Sequence, residues 1–334
     1  SEEYNKLIEE AMKLPITEGY AKYAEAEKLM LEDGYLAPIY QKASAYLEKD
    51  YVSGIVNNSW GADYTYTYAD VDKDDKVLNL ATSSDIPTLD LSKATDQQSF
   101  QTANTTMEGL TRVDAEGKVQ PGVAESWETS EDGLTWTFKL RKNSTWSNGT
   151  PVTAHDFEYS WKRTLTPETA SEYSYIMADI VGSSTKEIEA NGVDGVGVKA
   201  LDDYTLEVKL NRPVAYFAEL VSFQVFFPQN QAFVESCGDA YGSAADKQLY
   251  NGPFTLTSWK MEDQFTMEKN PNYWDAANVK LNKINTKVVK DTGAEVSLYE
   301  DGQIDRAGLS SDYVDKYKDS KEFHTKDVAS VFML

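Results

Sequence analysis

Cysteine is almost missing from this chain: Cys237 is the single one in 334 residues. That excludes an internal disulfide and a cysteine-based zinc site. Histidine is nearly as scarce, with only His155 and His324. His155 sits at what reads as a helix start with Phe157 beside it, which gives it a structural role near the cap. Positive charge is in deficit: 32 Lys and Arg stand against 55 Asp and Glu, a formal charge of -23. Such a field repels nucleic acid and anionic lipid and favours solubility; it would also attract cationic peptides. No apolar run approaches the roughly 18 residues of a membrane span. No Gly-x-Ser-x-Gly elbow is present, and Gly192, Gly195 and Gly197 come in the wrong order for a phosphate loop. Asp70-Val71-Asp72-Lys73-Asp74 alternates like a calcium loop but lacks its central Gly and terminal Glu, and reads as a solvated linker. These absences leave no candidate catalytic residue, metal site or cofactor site.

What the chain has is apolar and aromatic material. A 41% hydrophobic share can fill a sizeable core, and the length suits one large domain or two to three smaller ones. The 21 Tyr and 7 Trp are numerous enough that some could line a groove, because aromatics give contact area at low entropic cost.

Periodicity predicts helices over 1–14, ended by Pro15, and over 18–33, with Gly34 as C-cap. A strand is expected from Leu36 through Leu47, with further short strands at 51–56 and 63–69. In the second of these, Tyr64-Thr65-Tyr66-Thr67-Tyr68 has high β propensity at every position. The pattern restarts with a buried strand, Val77 to Ala81, then an extended loop from Ser83 to Asp90 and a helix over 96–109 ending at Gly109. Strands follow at Thr111–Val113, Gly122–Trp127 and Leu134–Leu140, with turns at Glu116-Gly117 and Asp132-Gly133. Thr153 caps a helix that has Asp156 three residues on. Hairpins are expected at 198–210, turning at Asp202-Asp203, and at 254–268. Helices are expected at 214–221, 291–300 and 311–318, and a strand at 284–290. Interleaved but not strictly alternating strands and helices favour an α/β architecture with mixed sheets.

Several strings, in order, are more specific than these patterns. They are Ile86-Pro87-Thr88-Leu89-Asp90, Met107-Glu108-Gly109-Leu110, Gly122-Val123-Ala124-Glu125-Ser126-Trp127, and Gly133 through Arg141. After them come Trp146 through Phe157, Asn251-Gly252-Pro253-Phe254, Lys269 through Asp275, and Tyr299 through Asp305. Together they resemble the oligopeptide-binding proteins of peptide ABC transporters, the extracellular solute-binding proteins of family 5. Residues 26–69 resemble that family's carboxy-terminal end, although here they come first.

The resemblance implies a type II periplasmic-binding-protein-like α/β fold and a peptide held extended between two lobes that close on it. It divides the chain into 1–48, a remnant of lobe 2 with two helices and a strand; 49–98, lobe 1; 99–245, a subdomain inserted in lobe 1; 246–322, lobe 1 continued; and 323–334, the start of a strand entering lobe 2. A family tail before a family head implies a circular permutation with its junction near 72–75 and most of lobe 2 absent, including the acidic anchor for the peptide's α-ammonium. The 49–73 segment is then expected in the same sheet system as 76–90. By the same resemblance Ser84, Asp85, Ile86 and Pro87 form the ligand-binding loop, with Asp85, Ile86 and Pro87 facing the cleft and pairing with the peptide backbone like a strand. Expected partners are short peptides and an ABC permease, with no nucleic acid, no cofactor and no enzymatic activity. The expected location is the extracellular face of the membrane or the periplasm, with membrane contact only through a lipid anchor that this chain does not carry. Two alternatives stay open: an engineered or fragment scaffold without a transport role, and a receptor for a peptide pheromone or other small solute.

Overall fold

In a computed structural model of the protein, the described residues are 2–14, 16–58 and 61–333. Three hydrophobic cores organise them, each built on its own sheet. The largest lies between the helix Ala154–Leu165 and an antiparallel sheet ordered Val198–Asp202, Thr205–Lys209, Thr135–Leu140, Ala124–Thr129. Alternation in the third of these strands puts Trp136, Phe138 and Leu140 inside. The helix answers with Phe157, Ser160, Trp161, Thr164 and Leu165, a stripe at 3, 4, 7 and 8 residue spacing. Thr153 and Asp156 close its first turn as a capping box.

The second core lies on a mixed sheet ordered Phe254–Lys260, Gln264–Lys269, Lys283–Val288, Val77–Thr82. The first three strands run antiparallel, while Val77–Thr82 pairs in parallel with Lys283–Val288, Leu80 opposite Thr286. The third core is small. Leu47, Tyr299, Ile304 and Ala307 fill the space between the helix Thr292–Glu300 and a sheet ordered Arg306–Leu309, Pro38–Glu48, Phe323–Met333. The helices Glu2–Met12 and Ile16–Glu32 form a hairpin in which Ala11 and Ala26 are the buried apolar side chains among the described residues. Pro15, expected to end the first helix, lies outside the described residues.

Several expectations need correction. The helix expected over 96–109 stops at Thr106, and Met107 is extended at φ -131°, ψ 166°. Beyond it the chain runs extended, and Gly109 passes against the Phe227 ring, where a Cβ would come within 2.7 Å. Residues 214–221 contain one short helical turn, Phe217–Leu220. Helices Thr185–Asn191, capped by Ser184 and Glu187, and Gln231–Cys237, capped by Asn230, were not foreseen. The segment 49–73 does not add strands to the sheet of Val77–Thr82. It pairs with itself, Val52–Ser53 with Asp70–Val71 and Val56–Asn57 with Tyr64–Thr65. It does share that sheet's core, where Val52, Tyr66, Ala69 and Val71 meet Leu78, Leu80 and Leu89.

Candidate ligand-binding site

One face of the mixed sheet is not fully covered, and a cavity of about 200 Å³ opens on it. Its floor is Leu80, Thr286 and Phe265 in one cross-strand row and Ile284 and Met267 in the next. One wall is the helix Gln97–Thr106, which presents Gln97, Gln98, Gln101 and Thr105. These residues share a face because they recur at helical spacing. Asp96 fixes the start of that helix by accepting the N–H of Ser99. The opposite wall is Tyr64 and Tyr66.

The two walls are pinned to each other. The Gln101 side-chain amide accepts the Tyr64 N–H at 2.9 Å and donates to the Tyr64 carbonyl at 2.9 Å. Asn104 Nδ2 donates to the same carbonyl and to the Thr65 hydroxyl, both at 3.0 Å. Gln98 Oε1 takes the Thr82 hydroxyl at 2.7 Å. A segment with little regular structure is thereby held rigidly against a helix by paired amides.

The lip of the cavity is Ser83 and Ser84, directly after the edge strand Val77–Thr82. Both are exposed, and among the described residues their backbone groups take part in no hydrogen bond. An exposed extended segment with free donors and acceptors can pair with another chain.

Of the four residues expected to bind ligand, only Ser84 lines the cavity. Ile86 does not face a cleft. It is 3% exposed and packs in the second core, and its N–H is already accepted by Asp85 Oδ1 at 2.8 Å. The Asp85 carboxylate also accepts the Trp259 indole N–H at 2.8 Å and the Glu262 N–H at 2.7 Å, so it braces the hairpin Phe254–Lys260/Gln264–Lys269. Pro87 is exposed but stands outside the cavity. The apolar character of Ile86 in an otherwise polar loop was the signal for burial. The residues missed were Gln97, Gln98 and Gln101, whose signal was a capped helix start carrying three amides on one face.

A second group of polar residues ties the first core to the second. Glu108 is 4% exposed, and its carboxylate accepts the Tyr273 hydroxyl and the Trp274 indole N–H, the latter at 2.6 Å. Burial pushes this carboxyl up, and the guanidinium of Arg112 pulls the other way. Arg141 lies over the Trp274 ring at 3.5 Å. These bonds explain why Met107-Glu108-Gly109-Leu110 and Asn270-Pro271-Asn272-Tyr273-Trp274-Asp275 belong together although they are far apart in sequence.

Comparison with known proteins gives consistent matches. The family described as Bacterial extracellular solute-binding proteins, family 5 Middle, matches residues 118–333. The oligopeptide-binding protein OppA of Bacillus subtilis is 38% identical over 244 residues, 72% of this chain and 45% of that protein. A dipeptide-binding protein of Lactococcus lactis is 38% identical over 240 residues, 71% of this chain and 44% of that protein. Among solved structures, the substrate-binding domain of an oligopeptide ABC transporter from Bacillus anthracis superposes with TM-score 0.73 at 46% identity, covering 75% of this chain and 48% of that one. Peptide-bound OppA of Listeria monocytogenes gives 0.72 at 41% identity, over 75% and 49%. The pheromone receptor PrgZ gives 0.72 at 34% identity, over 74% and 50%. The fold is therefore mixed α/β and similar to the type II periplasmic binding proteins. The chain spans under half the length of the curated relatives it matches. Among the described residues no helix is long and apolar enough to cross a membrane.

Proposed function

The chain belongs to the family 5 bacterial extracellular solute-binding proteins, and on that premise we propose that it captures short peptides for an ABC permease outside the cytoplasm. The observation that carries this reading is the unpaired backbone of Ser83 and Ser84 on the lip of a cavity lined by amides, hydroxyls and apolar side chains, with Asp63 as the carboxylate among the described lining residues. A peptide laid along Ser84 continues the sheet beyond Thr82, with main-chain bonds that do not depend on its sequence. The cavity beside it offers a side chain mostly uncharged surface, with Asp63 able to receive a basic group. The named relatives support the same ligand class.

The lobe assignment and the segment order are part of this reading. Residues 49–98 and 246–322 form the peptide-facing lobe, 99–245 an insertion in it, and 1–48 with 323–334 the portion leading to a second lobe. A circular permutation across 72–75 accounts for the position of 1–73 before the matched region, and the shared core of 52–71 with 78–89 supports it. Peptide mapping of the natural protein tests it: a continuous fragment must span Asp72 to Asp75, and fragments ending there would refute it.

The binding reading is tested by calorimetric titration with mixed tri- to octapeptides. Ser84→Pro removes the N–H and is expected to weaken binding about threefold to tenfold, while Ser84→Ala, which keeps it, leaves affinity unchanged. Equal affinity in all three proteins, with the fold intact, would place the peptide elsewhere. The likeness to PrgZ favours a second reading, a peptide pheromone as ligand. It would show as one sequence bound at least about tenfold better than the mixture.

A further inference from the structure

We propose that the peptide cavity selects for a lysine or arginine side chain, with Asp63 as the residue that sets the preference. The proposal rests on the peptide reading above and adds which side chain fills the cavity beside Ser84. Among the described residues Asp63 is the charged one that lines this cavity. It is exposed, and its carboxylate enters no hydrogen bond or salt bridge among the described residues. Two cations lie over the neighbouring Tyr64 ring, Arg306 and Lys326, and neither holds that carboxylate. Arg306 pairs with Glu48 at 3.3 Å, and Lys326 Nζ donates to the Asp63 main-chain carbonyl at 3.4 Å. Neither cation lines the cavity.

The rest of the cavity suits what lies between a peptide main chain and such a charge. Leu80, Phe265, Met267 and Ile284 make its floor apolar, and Ala81 and Tyr64 add half-buried surface. Lysine and arginine carry an aliphatic stem that covers apolar surface while the charged end stays in contact with water. From a main chain paired along Ser84, the stem crosses the floor toward the wall of Asp63 and Tyr64. The charged end then stays at the mouth, where Asp63 and Gln97 are both exposed. Gln97 Nε2 donates to the Gly61 carbonyl at 2.9 Å, while its Oε1 accepts no hydrogen bond among the described residues. A carboxylate and an amide oxygen answer a group that only donates.

Other occupants gain less. The start of the helix Gln97–Thr106 would favour an anion, but Asp96 accepts the Ser99 N–H at 2.8 Å and places a negative charge there. An acidic side chain would meet the like charge of Asp63 and a chain of formal charge -23. A purely apolar side chain gains the floor and nothing from Asp63. The peptide's own α-ammonium has no stem with which to span the floor.

The test is calorimetric titration of the 334-residue protein with tetra-alanine in which one alanine at a time is replaced by lysine, norleucine or glutamate. At one position lysine is expected to bind about threefold to tenfold more tightly than norleucine, which has the same stem without the charge, and glutamate more weakly than either. This ratio should shrink as NaCl is raised from about 0.05 to 0.5 M. It should fall to near one in Asp63→Asn, a change at an exposed carboxylate that bonds nothing else among the described residues. If Asp63 held the α-ammonium instead, Asp63→Asn would weaken lysine and norleucine peptides alike and keep their ratio, which would overturn the proposal. Equal affinity for lysine and norleucine at every position would also overturn it, as would a ratio that salt does not reduce. In those cases the peptide reading stands as long as the peptides bind and respond to Ser84→Pro. No binding of any of these peptides would refute that reading and this proposal with it.

Discussion

Replacing Arg163 by methionine should destabilise the protein far more than the loss of one surface charge would suggest. Arg163 lies on the helix of the first core, and Asp90 ends the loop whose Ile86 and Leu89 enter the second. The guanidinium meets both carboxylate oxygens of Asp90 at 2.7 Å, in a bidentate pair. Asp90 is 2% exposed. Arg163 also donates to Gln229 Oε1 at 2.9 Å, and Gln229 Nε2 donates to the Ser92 hydroxyl at 2.9 Å. Arg163→Met leaves a buried carboxylate with no counter-charge, which costs about 3–5 kcal/mol. With an m-value of about 2–3 kcal/mol/M, the urea midpoint should fall by about 1–2.5 M. Asp90→Asn alone should also be costly, because it leaves the guanidinium facing a neutral amide. The double variant removes both charges and should cost at least about 2 kcal/mol less than the sum of the single changes. Urea unfolding followed by tryptophan fluorescence and by circular dichroism measures all three. A single-variant cost under about 1 kcal/mol, or additivity within about 0.5 kcal/mol, would show that this pair does not clamp the two cores.

Ile86→Ala should cost about 2–5 kcal/mol of stability, as expected of a buried aliphatic side chain, and leave the peptide affinity of the folded protein unchanged; a selective loss of affinity would return Ile86 to the binding surface. Burial raises the Asp156 carboxyl from 3.8 to about 6. The folded state therefore holds this proton more tightly than the unfolded state, and stability from this group falls as pH rises from about 4 to 6, by about 3 kcal/mol. Asp156→Asn should be comparatively less harmful at pH 7 than at pH 4, and denaturation curves at both pH values that shift in parallel would refute this.

Much of the framework was legible because it rests on short-range rules. Alternation in Leu134–Leu140 and the Thr153/Asp156 cap each determine their element within a few residues, and both appear as read. The site was harder to read because strings that look like signatures turn out to hold the fold. Ile86 and Leu89 fill a core, and Asp85 and Asp90 brace a hairpin and a helix. Composition cannot separate a loop fixed by ligand contact from one fixed by packing. The cavity walls depend on Gln101 and Asn104 gripping the Tyr64 main chain from 37 and 40 residues away, and no local pattern announces a contact over that span. Tyr64 through Tyr68 carried the right alternation, yet only Tyr64–Thr65 joins a two-residue ladder, with Val56–Asn57, and the amides of one helix hold it in place.

The parallel strand Val77–Thr82 has a consequence for how the protein is made. Its ladder partner, Lys283–Val288, lies 206 residues further along, and Asp305, which holds Asn79 from the other side, lies 226 residues on. At a synthesis rate of about 5–20 residues per second, this strand waits about 10–40 s on the ribosome before either partner exists. During that time Leu78 and Leu80 have no sheet to enter and an unpaired edge is open to any other extended chain. Residues 97–249, with their own helix and antiparallel sheet, can condense meanwhile. Closing the second core thus comes only after both partners have been made and joins the two ends of a long loop, a non-local contact of the kind that slows folding.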